Sequence, residues 1–319
     1  MVVCTWVCSS VGLARRTEEV FYCENATVPS ARSPSCTHSL KGGQRWSTSM
    51  LAYWHAFHNK LATEAATYSN PDGRPRLVMI GDSITEGYRG TAVDKVLART
   101  LGINASLSMH MLREFDTPLI LAISGDETQH VLWRLEKELS PALCADSNLF
   151  ITLLIGTNNI GNAKHSVADT AAGVIAVARV LLTRTKARLL VHAILPRSAP
   201  RRLRQQNQRR TRPDSPSMNP SIDQVNSHVK AAVHGQLGSS FPGRVRGVDC
   251  GHLFRLRPRD VHDGAEVDEK LMPDALHPNL EGSHLLSECA REALGRWRRE
   301  TVSGLDVSDG KAPLTDPVF

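Results

Sequence analysis

The chain has 319 residues, of which 41% are hydrophobic and 22% charged, and its formal net charge is +6 at pH 7. These proportions are those of an ordinary globular protein and exclude a largely disordered chain. No apolar run reaches the roughly 20 residues that a membrane-spanning helix needs, so no membrane span is predicted.

The N-terminal 48 residues differ in composition from the remainder. Residues 1–48 are rich in Ser, Thr and Cys without a repeating period, and they predict an extension that is disordered or serves in targeting. The first residues are apolar, but nothing basic precedes them, which argues against a cleaved signal peptide. We expect a soluble protein and favour the cytoplasm, with secretion or organelle targeting through residues 1–48 as the alternative.

The seven cysteines show no pattern of a metal site or a redox pair. Four lie in the extension, and the others are Cys144, Cys250 and Cys289. An odd number of cysteines, scattered in this way, fits a disulfide framework poorly. We therefore expect buried or idle thiols.

The first helical pattern marks the start of the predicted folded domain. Apolar residues and one histidine recur with helical spacing on a single face: Leu51, Trp54, Phe57, His58 and Leu61. The domain is predicted to cover residues 49–300, and a loose tail rich in Asp, Gly, Ser and Pro is predicted for 301–319.

Short apolar runs alternate with amphipathic segments through the rest of the chain. The predicted strands are 76–80, 118–123, 149–155, 188–195 and 244–250, and a closing amphipathic helix is predicted over 284–297. The first four runs are too apolar for half-exposed strands and suit strands covered on both faces. The alternation therefore predicts an α/β fold, with helices on both sides of a central parallel sheet.

A basic segment accounts for the whole excess of positive charge. Seven arginines lie between Arg197 and Arg212, whereas the net charge is +6. The segment contains proline and no aromatic residue that could stack on a base. We interpret residues 197–221 as a solvated insertion, so a nucleic-acid partner is not expected.

Three unusual peptides follow predicted strands, at the edge where parallel sheets bind ligands. GDSITEG follows the strand at 76–80, SGDETQH follows 118–123, and GTNNIGN follows 149–155. Taken singly, each is explained as a helix cap or a turn. Near the C-terminus, DALHPNLEG places an aspartate three residues before a histidine.

Together the four peptides resemble the blocks of the SGNH hydrolases, also called GDSL hydrolases, which supply Ser, Gly, Asn and His in that order. The resemblance is closest to the branch that includes the catalytic subunits of brain-type platelet-activating factor acetylhydrolase, in which GTNN also occurs. It covers roughly residues 50–298. This chain departs from that branch in the 41 residues between Ser83 and Gly125 and in the arginine-rich insertion.

The resemblance implies a three-layer α/β/α fold with a flavodoxin-like sheet, and it assigns a role to each block. Ser83 would be the nucleophile, His277 its base and Asp274 the partner of that base. The oxyanion hole would be formed by Ser83, Gly125 and Asn158, with Asp82 and Asn159 in support.

The chemistry of these residue types agrees with those roles. A serine hydroxyl attacks an ester only when a base removes its proton, and a neutral imidazole suits that task near neutral pH. The spacing of three residues lets Asp274 reach the other ring nitrogen of His277. We leave His58, His130 and His165 as structural residues because no comparable companion is evident in the sequence.

The sequence thus predicts a serine esterase acting on a small acyl ester, acetyl being favoured, through an acyl-serine intermediate. A carbohydrate acetylesterase and a lysophospholipase or thioesterase of the same fold remain alternatives, and a non-catalytic anion-binding protein is a third class. No cofactor and no metal are expected, since no ligand motif is present. A homodimer is left open.

Overall fold

The computed structural model describes residues 25–30, 48–111, 114–161, 165–198, 218–256 and 266–302. Most of the predicted N-terminal extension lies outside these ranges, with Cys4, Cys8, Cys23 and Cys36. The tail beyond residue 302 and the basic segment beyond residue 198, up to residue 217, also lie outside them.

A five-stranded parallel sheet forms the centre of the molecule. Its strands are β1 (Arg76–Gly81), β2 (Leu119–Ala122), β3 (Leu149–Leu154), β4 (Arg188–His192) and β5 (Val245–Val248). They lie in the order β2-β1-β3-β4-β5, all parallel, which is the flavodoxin-like order. The predicted fold class is therefore confirmed, and all five predicted strands are present.

Helices cover the sheet on both faces. In chain order they are α1 (Thr48–Ala66), α2 (Ser83–Glu86), α3 (Ile103–His110), α4 (Thr128–Glu138), α5 (Pro141–Ala145), α6 (Thr157–Gly161), α7 (Val167–Arg184), α8 (Asn219–Ala232), α9 (Gly238–Ser240) and α10 (Leu280–Val302). Single turns of 3₁₀ helix lie at Gly87–Arg89, Ala98–Thr100 and Gly251–Phe254, and a π-helical turn at Val233–Leu237. None of the described helices is both long enough and apolar enough to cross a bilayer.

Alternate residues of each strand enter two separate cores. In β1, Val78 and Ile80 join the core under α1, α4, α7 and α8, whereas Leu77 and Met79 join the core under α3 and α10. Successive side chains of a strand point to opposite faces, so a strand buried on both sides must be apolar throughout. On α1 the buried face is the predicted one, with Leu51, Trp54, Phe57, His58 and Leu61, extended by Ala65.

The long segment between Ser83 and Gly125 has a structural purpose. It contains α3, whose buried Ile103 and Leu107 pack in the same core as Leu286 and Ala290 of α10. Part of this segment thus belongs to the helical layer that covers one face of the sheet.

The expectation of idle thiols is wrong for two cysteines. Cys250, just after β5, and Cys289 of α10 form a disulfide, with Cα atoms 6.1 Å apart. They are 39 residues apart in the chain, and only the packing of α10 beside β5 brings them together. Cys144 is a free thiol.

A short piece of the predicted extension packs against the domain. The carbonyl oxygen of buried Ala26 accepts a hydrogen bond from Thr128 Oγ1 at 2.8 Å. The backbone amide of Ser30 donates to the carbonyl of Gln129 at 3.1 Å. Residues 25–30 therefore lie on the start of α4 rather than apart from the fold.

Candidate active site

Ser83 lies at the carboxyl end of β1, the strand between β2 and β3 in the sheet. It is the first residue of α2, directly after β1, and Asp82 caps that helix by accepting a hydrogen bond from the amide of Ile84 at 3.1 Å. Gly81, at the end of β1, pairs with Ala122 of β2 and Leu154 of β3. The three strands thus end at one level, and the peptides that follow them meet there.

The C-terminal peptide brings His277 and Asp274 to this edge of the sheet. Ser83 Oγ lies 2.9 Å from His277 Nε2, and His277 Nδ1 lies 2.6 Å from Asp274 Oδ2. The other oxygen of Asp274 accepts the amides of Leu276 at 3.1 Å and of His277 at 2.7 Å. A continuous chain of hydrogen bonds therefore runs from the carboxylate to the serine hydroxyl.

The environment of Asp274 keeps its carboxyl group ionised. Partial burial alone would raise its pKa, but the hydrogen bond and charge of His277 and the two backbone amides outweigh burial and lower the pKa to about 2. A carboxylate on Nδ1 selects the tautomer that carries its proton there. In that tautomer the nitrogen without a proton is Nε2, which lies 2.9 Å from Ser83 Oγ.

Gly125 and Asn158 follow the two neighbouring strands. Gly125 has φ of 82°, in the left-handed region that residues with a Cβ enter at a cost. Asn158 lies in α6, is buried, and its side-chain amide donates to the carbonyl of Asp126 at 2.9 Å. That bond fixes the orientation of the Asn158 side chain beside the second peptide.

Asp82 is a fully buried carboxyl group next to Ser83. Burial raises its pKa, the negative charge of Asp126 adds to the increase, and the Ile84 amide and the charge of Arg197 oppose it; the resulting pKa is about 7. Its Oδ2 has no hydrogen-bond partner among the described residues. Asp82 therefore changes charge near neutral pH, within one residue of the hydroxyl.

Asn159 connects the third peptide to the second. Its Oδ1 accepts from the amide of Thr128 at 3.0 Å, and its Nδ2 donates to Thr128 Oγ1 at 3.1 Å and to Gln129 Oε1 at 3.2 Å. The side chain thus caps the start of α4 and holds two of the peptides in register.

Glu86, the glutamate of GDSITEG, is a supporting residue that the sequence analysis did not identify. It is fully buried, and its Oε2 accepts from the amide and the hydroxyl of Ser124, both at 2.6 Å. Its Oε1 accepts from Thr91 Oγ1 and from the amide of Asp94, both at 2.9 Å. The sequence signal that could have identified Glu86 is its position as an acidic residue in the first turn after Ser83.

Behind the second peptide lies a buried ionic network. Arg134, with no exposed side-chain area, donates to Asp126 at 2.7 Å and to Glu138 at 2.6 Å. Glu138 also contacts His58 Nδ1 at 3.0 Å, and Asp126 accepts from Trp54 Nε1 at 2.7 Å. Attraction between these charges offsets the cost of burying them only because each is paired and hydrogen-bonded.

Two histidines do have acidic companions, contrary to the sequence analysis. His58 pairs with Glu138, and His165 Nε2 lies 3.5 Å from Glu127 Oε2. Their carboxylate partners are distant in sequence, so no local motif revealed them.

Arg197 was predicted to begin the solvated insertion, yet its side chain turns toward the site. Its Nη1 donates to the carbonyl oxygen of Thr157 at 2.9 Å and lies 3.3 Å from Thr157 Oγ1. Asn219 to Ser221, the end of the predicted insertion, belong to α8. Residues 197, 198 and 218–221 of the predicted insertion therefore lie among the described residues, and residues 199–217 lie outside them.

A groove of about 670 Å³ opens beside His277 and Asp274. Its apolar walls include Leu101, Pro278 and Leu280. Leu101 and Leu280 are 61% and 42% exposed. Such large exposed apolar side chains next to a polar cluster are typical of a ligand-binding surface.

The described residues contain no group of three or more His, Cys, Asp or Glu side chains that could hold a metal ion. The contact between Ser83 Oγ and His277 Nε2 allows proton transfer from a hydroxyl to an imidazole.

Comparisons with known proteins point to one family. Residues 79–285 match the model of the GDSL-like lipase/acylhydrolase family. The chain is 25% identical, over 293 residues, to platelet-activating factor acetylhydrolase IB subunit alpha1 of Bos taurus, covering 90% of this chain and 96% of the relative. The human subunit of that name is 25% identical over 253 residues, 77% of this chain and 81% of the relative.

The fold has a counterpart among solved structures. A crystal structure of a Bacteroides fragilis protein superimposes with a TM-score of 0.53 at 16% identity, covering 75% of this chain and 95% of that one. At that identity the similarity shows the fold alone.

Proposed function

Because the chain belongs to the GDSL-like lipase/acylhydrolase family and is a hydrolase of ester bonds, we propose that it acts through Ser83, His277 and Asp274 as a serine esterase. The observation that carries the proposal is the hydrogen-bonded chain from Asp274 through His277 to Ser83, with distances of 2.6 and 2.9 Å. Nucleophile and base lie within bonding reach, and a third group orients the base.

The first half of the reaction forms an acyl-serine. Ser83 Oγ bonds to the ester carbonyl carbon as its proton passes to His277 Nε2, and the carbonyl oxygen becomes an oxyanion. When the intermediate collapses, the bond to the alcohol oxygen breaks and His277 returns the proton to that leaving group. Ionised Asp274 stabilises the imidazolium meanwhile.

The second half repeats these steps with water. His277 takes a proton from a water molecule, the hydroxide attacks the acyl carbon, and Ser83 leaves with the proton held by His277. In both halves the amides of Ser83 and Gly125 and the side chain of Asn158 receive the oxyanion.

The favoured substrate is an ester of a small acyl group, acetyl above all. The relatives that the chain resembles over most of its length are named as acetylhydrolases, which supports this choice. The groove with exposed Leu101 and Leu280 beside His277 favours an apolar alcohol portion over a carbohydrate. Lysophospholipase or thioesterase activity remains the second candidate on the same observation.

Labelling with a fluorophosphonate probe tests the nucleophile. The wild type and the control Ser227→Ala, which removes a serine exposed on α8, should be labelled equally, and Ser83→Ala should not be labelled. Labelling that persists in folded Ser83→Ala excludes this serine. Turnover of acetyl, butyryl and octanoyl esters, and of acetylated xylan, then ranks the acyl and alcohol preferences.

A further inference from the structure

Arg197 contacts the segment that carries Asn158. Its Nη1 donates to the carbonyl oxygen of Thr157, the residue before Asn158, at 2.9 Å. The guanidinium lies against Gly161, at the other end of α6, where a Cβ would stand 2.1 Å from Nη1. A side chain with a Cβ at position 161 would therefore displace the guanidinium from its present place.

The backbone beside Arg197 holds the loop that carries the His–Asp pair. The amide of Ser198 donates to the carbonyl of Ala275 at 3.0 Å. Ala275 lies between Asp274 and His277 and has φ of 60°, a left-handed conformation that costs energy in a residue other than glycine. The amide of Arg197 itself is held by Asn219 Oδ1 at 2.9 Å.

Two carboxyl groups of the site, those of Asp82 and Asp274, act electrostatically on Arg197. Burial lowers the pKa of Arg197, while the charges of Asp82 and Asp274 raise it. A guanidinium stays protonated under all these influences. Asp82 is subject to the opposing charges of Asp126 and Arg197, and Asp274 also faces His277. Arg197 is thus the cation that counters Asp126 at the buried carboxyl beside the nucleophile.

We propose that Arg197 is a positioning residue of this site, which ties the Asn158 segment to the Asp274–His277 loop. This inference rests on the proposed esterase function. Nothing in the geometry places Arg197 against the reacting atoms, so it acts through its neighbours. Of the seven arginines between positions 197 and 212, Arg197 is the one that the structure describes.

A matched pair of substitutions tests the proposal. Arg197→Gln removes the positive charge and the guanidinium group beyond the carboxyl end of β4. Arg188→Gln does so at the amino end of the same strand, where Arg188 Nη1 also bonds one backbone carbonyl, that of Ser147, at 3.2 Å. We expect Arg197→Gln to lower kcat by about 10- to 100-fold with KM changed less than about threefold, because misplacing Asn158 weakens transition-state binding. Arg188→Gln should change kcat less than about twofold.

The pH profile separates the charge of Arg197 from mere packing. Loss of a neighbouring cation raises the pKa of a carboxyl group. If Asp82→Asn abolishes one limb of the pH profile of kcat/KM, that limb reports the titration of Asp82. The same limb should then move to higher pH in Arg197→Gln. It should stay in place in Arg197→Lys and in Arg188→Gln. A merely structural role would lower activity equally in Gln and Lys variants without moving the limb.

The outcomes are distinguishable from failure of the proposed function. If wild-type Ser83 is not labelled by the fluorophosphonate, the esterase site itself is wrong. If Ser83 is labelled and Arg197→Gln matches Arg188→Gln in kcat and pH profile, the role of Arg197 alone is refuted. If Arg197→Gln fails to fold, Arg197→Lys is the deciding variant. Wild-type kcat and a wild-type pH profile in Arg197→Lys support a role for the positive charge. Loss of kcat without a change in the pH profile overturns that role.

Discussion

Two of the imidazole–carboxylate pairs among the described residues, His277 with Asp274 and His58 with Glu138, differ in their surroundings. His277 Nδ1 is 2.6 Å from Asp274, and His58 Nδ1 is 3.0 Å from Glu138. The first pair is at the sheet edge, with side chains 17% and 47% exposed, and the second is buried, with 1% and 0% exposed. The surroundings therefore decide what each pair can do.

The second nitrogen of each ring shows the difference most directly. His277 Nε2 faces the hydroxyl of Ser83 at 2.9 Å, whereas His58 Nε2 has no hydrogen-bond partner among the described residues. His58 stacks on Trp54 instead, with ring centroids 6.0 Å apart. A histidine with a carboxylate partner is thus a general base only when its other nitrogen meets a nucleophile that substrate can reach.

The largest effect should come from replacing each histidine in turn. His277→Ala should lower kcat/KM by about 10⁴-fold or more, because Ser83 loses its base. His58→Ala should instead lower the thermal midpoint, through a cavity and a lost bond to Glu138, while turnover per folded molecule stays within about threefold. The measurements are ester hydrolysis and thermal unfolding of both variants. Comparable loss of turnover in folded His58→Ala would contradict the distinction.

The buried pair of His58 and Glu138 belongs to an ionic network. Breaking this network should give the second-largest effect, a loss of stability. Arg134→Met leaves Asp126 and Glu138 buried without their guanidinium, at a cost of about 3–5 kcal/mol. The control Arg255→Met breaks an exposed pair with Asp223 and should cost no more than about 1 kcal/mol. Urea unfolding measures both. Equal costs would show that Arg134 is dispensable to the network.

At the exposed site, the oxyanion donor should matter less than the base. Asn158→Ala should lower kcat by about 10²- to 10³-fold, as loss of one donor does, with KM little changed. Asn148→Ala is the matched control, because Asn148 Nδ2 also bonds a single backbone carbonyl, that of Gly73, at 2.9 Å. Steady-state kinetics of the two folded variants give the answer, and unchanged turnover would remove Asn158 from the site.

A further effect should appear in how stability depends on pH. Asp82 has a folded pKa of about 7, above its ordinary value of 3.8, so the folded state holds an extra proton between these values. Stability should therefore fall as pH rises from about 4 to about 7. Asp82→Asn should flatten that slope.

Asp274 should make stability depend on pH in the opposite direction. Its folded pKa of about 2 means that it stabilises the fold above pH 4, and that this contribution is lost as pH falls toward 2. Chemical denaturation across this range measures both groups. An unchanged slope in Asp82→Asn would show that its carboxyl is ionised throughout.

Much of this architecture could be read from local patterns. The five apolar runs predicted the strands, and the helical spacing from Leu51 to Leu61 predicted the buried face of α1. Ser83, Asp274 and His277 were named from two short peptides and from the resemblance of these peptides to the blocks of the SGNH hydrolases. Such features are local because strand burial, helix periodicity and turn chemistry each depend on residues within a few positions.

Other features depend on partners that are remote in the chain. Glu138 reaches His58 across 80 positions, and Cys250 meets Cys289 across 39. Arg197 was assigned to a solvated insertion because it begins a run of arginines, yet it bonds Thr157, 40 positions away. No rule of sequence spacing predicts such pairs, because their two members are brought together only in the folded structure.

The sequence alone therefore determined the α/β class, the strands, and the order of the serine, glycine, asparagine and histidine peptides. The tertiary structure decided which histidine faces the serine, which arginine turns inward and which cysteines pair. The physical reason is that a strand or turn forms from its own residues, whereas a buried charge or a hydrogen-bonded site exists only where packing supplies the partner.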